Sequence, residues 1–475
     1  MSLTLEIPQD KTLPQLAAAL DIAAMRSIFE QALFAGIAPG GEAALSTGRF
    51  QIRACQIERI KYKPGQNCLI CYQLTIHDTL TQQDSDQILC GRIYERGSGY
   101  AHFIKARTPS LVTPKFGPPL LYLPGLEMVV WVFPNDRKLD ALPKLMDQTY
   151  LQQEVLSEVV AANFGNQWQI TELAQRLVHY VPEHTCTSRV QLQLGQKQTG
   201  EKLSLVLYGK TYYNRAGEET YQLMEQLWVS KRRQEGRLRL AQPLAYQPHL
   251  KMLWQVELPG QTLLAQDLSS PPFLNLLSRA AVALAEFHQT QVACAKSSHL
   301  SDWLTKLQEM KQLLRQVRPA GQKKLDILVE RLLDQAEQLG PQPVATLHGD
   351  LHLKNFFVEG EQVALIDLDN LCHGSPWQDV GSFSAGLLYW GLFMAMPTPL
   401  IWQFIDAFCQ QYEQNVPWPM SRFALNWYTA AALINERAFR CVTRLKSGRL
   451  DLLDDLIDLA DSISAEQLPF YLVAE

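Results

Sequence analysis

The first half of the chain repeats itself, and the repeat restricts the fold more than any other feature. Tyr62, Pro64, Cys68, Gly91 and Tyr94 match Tyr180, Pro182, Cys186, Gly209 and Tyr212, each pair 118 positions apart. Further on, Pro119-Leu120, Tyr122, Pro124, Leu126 and Met128 match Pro243-Leu244, Tyr246, Pro248, Leu250 and Met252, now 124 apart. Two collinear blocks of this kind mean one supersecondary unit written twice. Each copy opens with alternating runs rich in β-branched and aromatic residues, which predict strands over 57–62, 68–76 and 88–94 and again over 176–180, 187–194 and 203–213. A helical or irregular stretch and a Pro-punctuated strand pair close each unit. The second half changes character. Leu274, Leu276-Leu277, Ala280-Ala281, Leu284 and Phe287 form one helical stripe, and amphipathic helices are expected near 301–315 and 321–339. With 475 residues, two or three folding units are expected.

Composition excludes several classes. The net charge is −5 with Lys and Arg dispersed, so no nucleic-acid partner is expected. The nine Cys are an odd number scattered in apolar runs, the pattern of reduced thiols in a cytoplasmic protein. Cys68-Leu69-Ile70-Cys71 lacks a second pair, and a zinc site needs four ligands, so two strand cysteines are expected there. The N-terminus has no basic segment followed by an apolar one, so no secretion signal is expected. The run from Val380 to Ile405 carries no Asp, Glu, Lys or Arg and is long enough for a bilayer. Ser382, Ser384, Pro397, Thr398, Pro399 and Gln403 interrupt it, however, and it predicts a buried helix and turn, not a membrane span.

The chemistry is concentrated in His348-Gly349-Asp350-Leu351-His352-Leu353-Lys354-Asn355, followed by Leu365-Ile366-Asp367-Leu368-Asp369. Phosphoryl transfer needs a positioned nucleophile, held metal ions and neutralised charge, and little covalent help. Asp350 suits the catalytic base, and Asn355, five positions on, suits a magnesium ligand on the same loop. Asp367 ends the apolar run Val363–Ile366, which presents it at a strand end where a second Mg²⁺ ligand is wanted.

Protein kinases carry H-R-D-x-x-x-x-N and then D-F-G. Here Gly349 replaces the Arg, Asp367-Leu368-Asp369 replaces D-F-G, and Asp379-Val380-Gly381 follows. This set resembles the aminoglycoside phosphotransferase and choline kinase families, small-molecule kinases with a protein-kinase-like fold. The resemblance implies an α+β, two-lobe fold with a tandem duplicated N-lobe-like, β-rich unit before a mainly helical C-lobe. The boundaries expected are an N-terminal helical segment over 1–50, a first, degenerate unit over 51–150, a second N-lobe over 151–258 and a C-lobe over 259–475.

The resemblance also assigns roles. Lys210 takes the place of the ATP-binding lysine, and the first copy has Arg92 there. Glu225, with Glu219 as a competitor, is the expected helix partner of Lys210. Glu257 lies in the hinge, and the nucleotide loop 181–188 has no glycine, leaving Thr187 and Ser188 as expected donors to ATP. His348 is placed at the catalytic centre, where packing under the loop is favoured over proton transfer; Asp379 braces the loop and Asp369 stands behind the metal ligands. His288 is expected to be a structural helix-end residue. Lys354 either reaches the transferring group or faces solvent. Arg437, Arg440 and Arg444 share one helical face and Asp451, Asp454, Asp455 and Asp458 another; mutually paired, solvated faces are expected. The expectation is therefore an ATP- and Mg²⁺-dependent kinase acting on a small-molecule hydroxyl. The alternative is a nucleotide-binding pseudokinase or scaffold. A protein kinase is disfavoured because no activation-loop-sized segment separates Asp367 from Asp379. The role of the first copy stays open between a cleft cap, a homodimer contact and a vestige.

Overall fold

The computed structural model describes residues 9–34, 48–317, 322–446 and 448–466. Its N-terminal part is β-rich and its C-terminal part helical. β1 (Phe50–Lys63), β2 (Asn67–Asp78), β3 (Gln83–Ile93), β4 (Leu120–Leu123) and β5 (Met128–Val132) form one five-stranded sheet in the order β1-β2-β3-β5-β4. β6 (Trp168–Val181), β7 (Thr185–Gln196), β8 (Lys202–Tyr212), β9 (Pro243–Gln247) and β10 (Met252–Val256) form a second in the order β6-β7-β8-β10-β9. All pairings in both sheets are antiparallel. Between the third and fourth strands lie Gly99–Ala106 in the first and, in the second, Ala216–Trp228 followed by the short Lys231–Gln234.

The two sheets agree in detail. Gly91 and Gly209 leave room for Met128 and Met252 on the neighbouring strand, where a Cβ would collide with each methionine. Left-handed backbone recurs at Gly65 (φ 67°) and Glu183 (φ 62°), and at Glu127 (φ 46°) and Lys251 (φ 50°). Asp10 accepts from the N–H groups of Thr12 and Leu13 and, through its other oxygen, from the Tyr62 hydroxyl and the Gly65 N–H, both at 2.8 Å. Asp136 makes the same four bonds, to Lys138, Leu139, the Tyr180 hydroxyl (2.6 Å) and the Glu183 N–H (2.9 Å). A helix follows each. Asp21 caps Ile22–Phe34 through the N–H groups of Ala23 and Ala24, and Asp147 caps the helical stretch that ends at Phe164 through those of Thr149 and Tyr150.

These helices cut across the expected boundaries. Met25, Phe29 and Leu33 lie in one core with Ile52, Ile70 and Tyr72 of the first sheet, each burial worth about 1.5–3 kcal/mol, so 10–34 is not a separate helical segment. Leu139 and Leu142, assigned by sequence to the first unit, pack with Cys186 of the second sheet, and Leu145 with Val190 and Leu192. The cause is the same in both copies: one face of the twisted sheet is covered by a helix from upstream in the chain.

The C-terminal part packs Pro272–His288, Leu300–Val317, Gln322–Ala336, Trp377–Phe393, Thr398–Glu413, Arg422–Ala432 and Leu453–Ser464 around one core, which Leu223 and Leu227 of Ala216–Trp228 also enter. The expected helix over 321–339 begins at Gln322, since Gly321 lies outside the described residues, as do 467–475 at the expected helical end. The uncharged run is two helices broken between Met394 and Pro397. Among the described residues, no helix is long and apolar enough to cross a membrane. Cys68 and Cys71 are both free and buried on a strand, with the Cys71 Sγ 3.1 Å from that of Cys90.

Candidate active site

The loop after strand Ala345–Leu347 is held from behind. Asp379, in the first turn of Trp377–Phe393, is 2% exposed and accepts the backbone N–H groups of His348 (2.6 Å) and Gly349 (3.0 Å). Its Oδ2 also lies 3.1 Å from His288 Nε2, and His288 Nδ1 lies 2.7 Å from the Tyr412 hydroxyl. Burial alone would raise the proton affinity of Asp379; His288 and the loop amide outweigh it and hold the carboxyl below the usual range. His348 is fully buried and its Nε2 donates to the Ile366 carbonyl at 2.8 Å. It ties the loop to the following strand, the packing role the sequence favoured over proton transfer. Gly349 has φ 79°, and a Cβ there would collide with the Asn370 carbonyl oxygen, which explains why glycine and not arginine follows the histidine.

The tie leaves Asp350 at the surface of the cleft. Its backbone carbonyl accepts from Asn355 Nδ2 at 2.8 Å, which fixes the Asn355 side chain within the loop. Its carboxylate pairs with Arg440 at 2.9 Å. His352 Nε2 stands 3.9 Å away, but burial pushes that imidazole down to about 4, so it is neutral at pH 7. The Ile366 N–H bonds the Asn355 carbonyl at 3.0 Å, and Asp367 follows in the left-handed region at φ 62°, which swings its carboxylate toward the second sheet. There Lys210 lies 2.7 Å from Asp367 and 2.6 Å from Asp369, and the Tyr212 hydroxyl donates to Asp369 at 2.8 Å. Burial would lower the proton affinity of Lys210, but the two carboxylates outweigh it and raise it. The same pairing lowers that of Asp367 against the opposing effect of burial.

Other expected residues fall elsewhere. Glu225 is exposed and accepts from the Tyr221 hydroxyl at 2.8 Å, while Glu219 pairs with Lys296 at 2.7 Å. Neither is the partner of Lys210. Leu223, Met224 and Leu227 take the buried stripe of Ala216–Trp228, so Glu225 is left on the solvent face. Thr187 stands directly across from Lys210 in the β7–β8 register. Its neighbour Ser188 is buried and accepts from Gln175 Nε2 at 3.2 Å, and strand alternation sends it to the face opposite Thr187. Glu257 bonds Val206 through its N–H, and its carboxylate is clamped by Arg189 at 2.6 and 3.2 Å, so its side chain braces the hinge. Arg440 pairs with Asp350, Arg437 donates to the Ser382 carbonyl at 2.8 Å, and Asp458 pairs with Lys324.

Two features were not anticipated. Arg440 carried only a helical-face signal. Glu183, at the tip of the glycine-free loop, accepts from Arg92 at 2.9 and 2.5 Å and from Arg137 at 2.8 and 2.7 Å. Arg92, which had no visible catalytic partner, thus grips the loop of the second sheet from the position that Lys210 occupies in that sheet.

Residues 222–420 match the model of the phosphotransferase enzyme family, APH. The match places the pinned loop, Asp367 and Asp379 inside a phosphotransferase segment and makes the enzyme a kinase. It begins after Lys210 and ends before Arg440. Solved structures similar to the chain include a Ralstonia eutropha JMP134 protein assigned to the aminoglycoside phosphotransferases, at 14% identity and TM-score 0.46, covering 66% of this chain and 98% of that one. A thermostable mutant of aminoglycoside phosphotransferase APH(4)-Ia in its apo form gives 14% and 0.43, covering 66% and 99%. A choline/ethanolamine kinase family protein from Mesorhizobium loti gives 14% and 0.41, covering 66% and 99%. No curated protein matches the chain.

Proposed function

We propose that this kinase transfers the γ-phosphoryl group of ATP to a hydroxyl of a small molecule, with Asp350 as the base that orients the hydroxyl and receives its proton. One observation carries the reading: Asp350, partly exposed and paired with Arg440, sits on a loop whose backbone Asp379 pins at two points. An ion-paired carboxylate is a weak base, which suits a loose transition state that needs positioning more than deprotonation. Asn355 and Asp367 would hold magnesium, with Asp369 behind them. This all-oxygen donor set fits a hard cation that keeps several waters and phosphate oxygens in its shell. When bound, the ion would neutralise charge on the phosphates. Lys210 would exchange its carboxylates for the α/β-phosphates, and Thr187, across the strand from it, would line the same face. Replacing Asp350 with Asn should lower acceptor-dependent ADP release by about 10²–10⁴-fold and spare ATP binding. Turnover at the wild-type rate would sink the assignment.

We read the two sheets as a tandem duplication whose units begin near Asp10 and Asp136. The shared strand order, the paired Asp10 and Asp136 bonding sets and the repeated left-handed positions support it. In this reading the first unit is a cap: Arg92 replaces the backbone role of a glycine-rich loop by holding Glu183 in place. A binding-only pseudokinase keeps one supporting observation, the pairing of Lys210 with Asp367 and Asp369 in place of a helix glutamate. Mg²⁺-dependent ATP hydrolysis without acceptor favours the enzyme over it.

A further inference from the structure

Arg59 and Lys61 are two residues apart on β1, the edge strand of the first sheet, and so share one face, while Ile60 and Tyr62 enter the first core. Arg59 Nη2 lies 3.1 Å from His179 Nε2 on the second sheet. The helix Phe439–Arg444 packs against β1, and Leu445, left-handed at φ 41°, enters the same core as Ile60 and Tyr62. This helix carries Arg440 to Asp350 at 2.9 Å and sets Arg444, half-buried, beside Arg59, Arg440 and Asp350. Lys354 of the catalytic loop and Lys446 are both exposed, and each feels the charge of Arg59.

These cations are short of partners. Among the described residues, no carboxylate lies within ion-pair range of Arg59, Lys61, Lys354, Arg444 or Lys446, and the one bonded to Arg440 is Asp350 itself. Burial, with the charges of Arg59 and Arg440, brings Arg444 down to about 10. Lys354 is solvent-exposed, and the charges of Arg449, Arg59 and Arg440 act on it. Crowded like charges oppose the compact state and are relieved by a counter-ion. The helix Phe439–Arg444 supplies nothing to Asn355, Asp367 or Lys210, and both it and β1 lie outside the segment 222–420 that matches the family.

We propose that the acceptor is an anion: a hydroxyl compound bearing a phosphate or carboxylate, held by Arg59, Lys61, Lys354 and Arg444 with its hydroxyl at Asp350. This rests on Asp350 as the base. The acceptor oxygen forms a bond to the γ-phosphorus, the bond to the β–γ bridging oxygen breaks, ADP leaves, and the hydroxyl proton passes to Asp350. Guanidinium forks bind either anion in a bidentate manner.

The test uses the full chain, Mg-ATP and ADP release, with acceptors matched by skeleton: glycerol against glycerol 3-phosphate and glycerate, glucose against glucose 6-phosphate and gluconate, and the cations kanamycin and choline. At least one anion should exceed its neutral partner in kcat/KM by about tenfold, and the phosphate and carboxylate arms separate the two sources. Arg59→Gln should raise the acceptor KM by about tenfold. Preference for a neutral or cationic acceptor overturns the proposal, as does an Arg59→Gln effect on the KM of ATP alone. If nothing on the panel reacts, sulfate binding decides: with ADP saturating, sulfate should raise the Tm of the wild type more than that of Arg59→Gln/Lys61→Gln, and equal shifts overturn the proposal. Asp350→Asn separates the two failures. Wild-type turnover in that variant removes the base, whereas its inactivity together with choline or kanamycin as the preferred acceptor removes only the anion.

Discussion

Replacing Glu183 with Gln is the perturbation with most to say about how the two sheets cooperate. Glu183 is held at φ 62°, its side chain is 9% exposed, and it accepts four hydrogen bonds from Arg92 and Arg137. Gln keeps the shape and removes the charge. Breaking one side of a buried ion pair costs about 3–5 kcal/mol, because the other charge is left unpaired. Arg137 is 38% exposed and rehydrates, and Arg92, 11% exposed, keeps the Asn67 side chain. The cost is therefore at the low end, about 3 kcal/mol. At about 2–4 °C per kcal/mol for a unit of this size, the Tm should fall by roughly 6–12 °C. The loop would lose its anchor, and the KM for ATP should rise by about tenfold. Burial opposes ionisation of Glu183, but the two guanidiniums outweigh it and hold its folded pKa below the unfolded value of about 4.3. Its contribution is then complete above the unfolded pKa and lost as pH falls through the folded one. Thermal unfolding of both proteins from pH 7 into the acid range, with ATP kinetics at pH 7, checks this. Equal Tm values at pH 7, or a difference that widens on acidification, would refute the reasoning.

Gly349→Ala should cost about 2–4 kcal/mol, from left-handed strain and the collision with the Asn370 carbonyl, and should abolish turnover; denaturant unfolding and ADP release read both effects. Glu225→Ala should leave the KM of ATP within about twofold of wild type, because Tyr221 and not Lys210 is its partner; an increase like that of Lys210→Ala would restore the helix glutamate.

The chain order of the site was legible because short motifs carry their own geometry. His348 to Asn355 is a single loop, and Asp367 ends an adjoining strand, so their separation in sequence bounds their separation in space. The strand pattern was legible for the same reason, since alternation is a local property: all six strands β1 to β3 and β6 to β8 were anticipated, but β1 and β6 begin at Phe50 and Trp168, well before the expected starts at 57 and 176. Glu225 was misread because its distance along the chain from Lys210 says nothing about which face of Ala216–Trp228 the core claims. Thr187 and Ser188 were named together, and which of the two shares a face with Lys210 follows from strand register, not from composition. The correspondence of Asp10 and Asp136 was not legible because they are single polar residues whose match rests on four hydrogen bonds each, not on a run of identities.

The sequence by itself determined the chemistry: a loop and strand end with phosphoryl-transfer spacing, a lysine on the third strand of the second copy, and two strand-rich units written in the same order. Periodicity and short-range spacing encode such features, because neighbours along the chain are held within a few ångströms by covalent geometry. Only the tertiary structure decided the partners. It joined Lys210 to Asp367 and Asp369, Arg92 to Glu183, and Arg440 to Asp350, pairs separated by 157, 91 and 90 positions for Lys210–Asp367, Arg92–Glu183 and Arg440–Asp350. Ion pairs of that range follow from how sheets and helices pack. The packing also sets the helix Phe439–Arg444, which carries Arg440, against β1 of the first sheet.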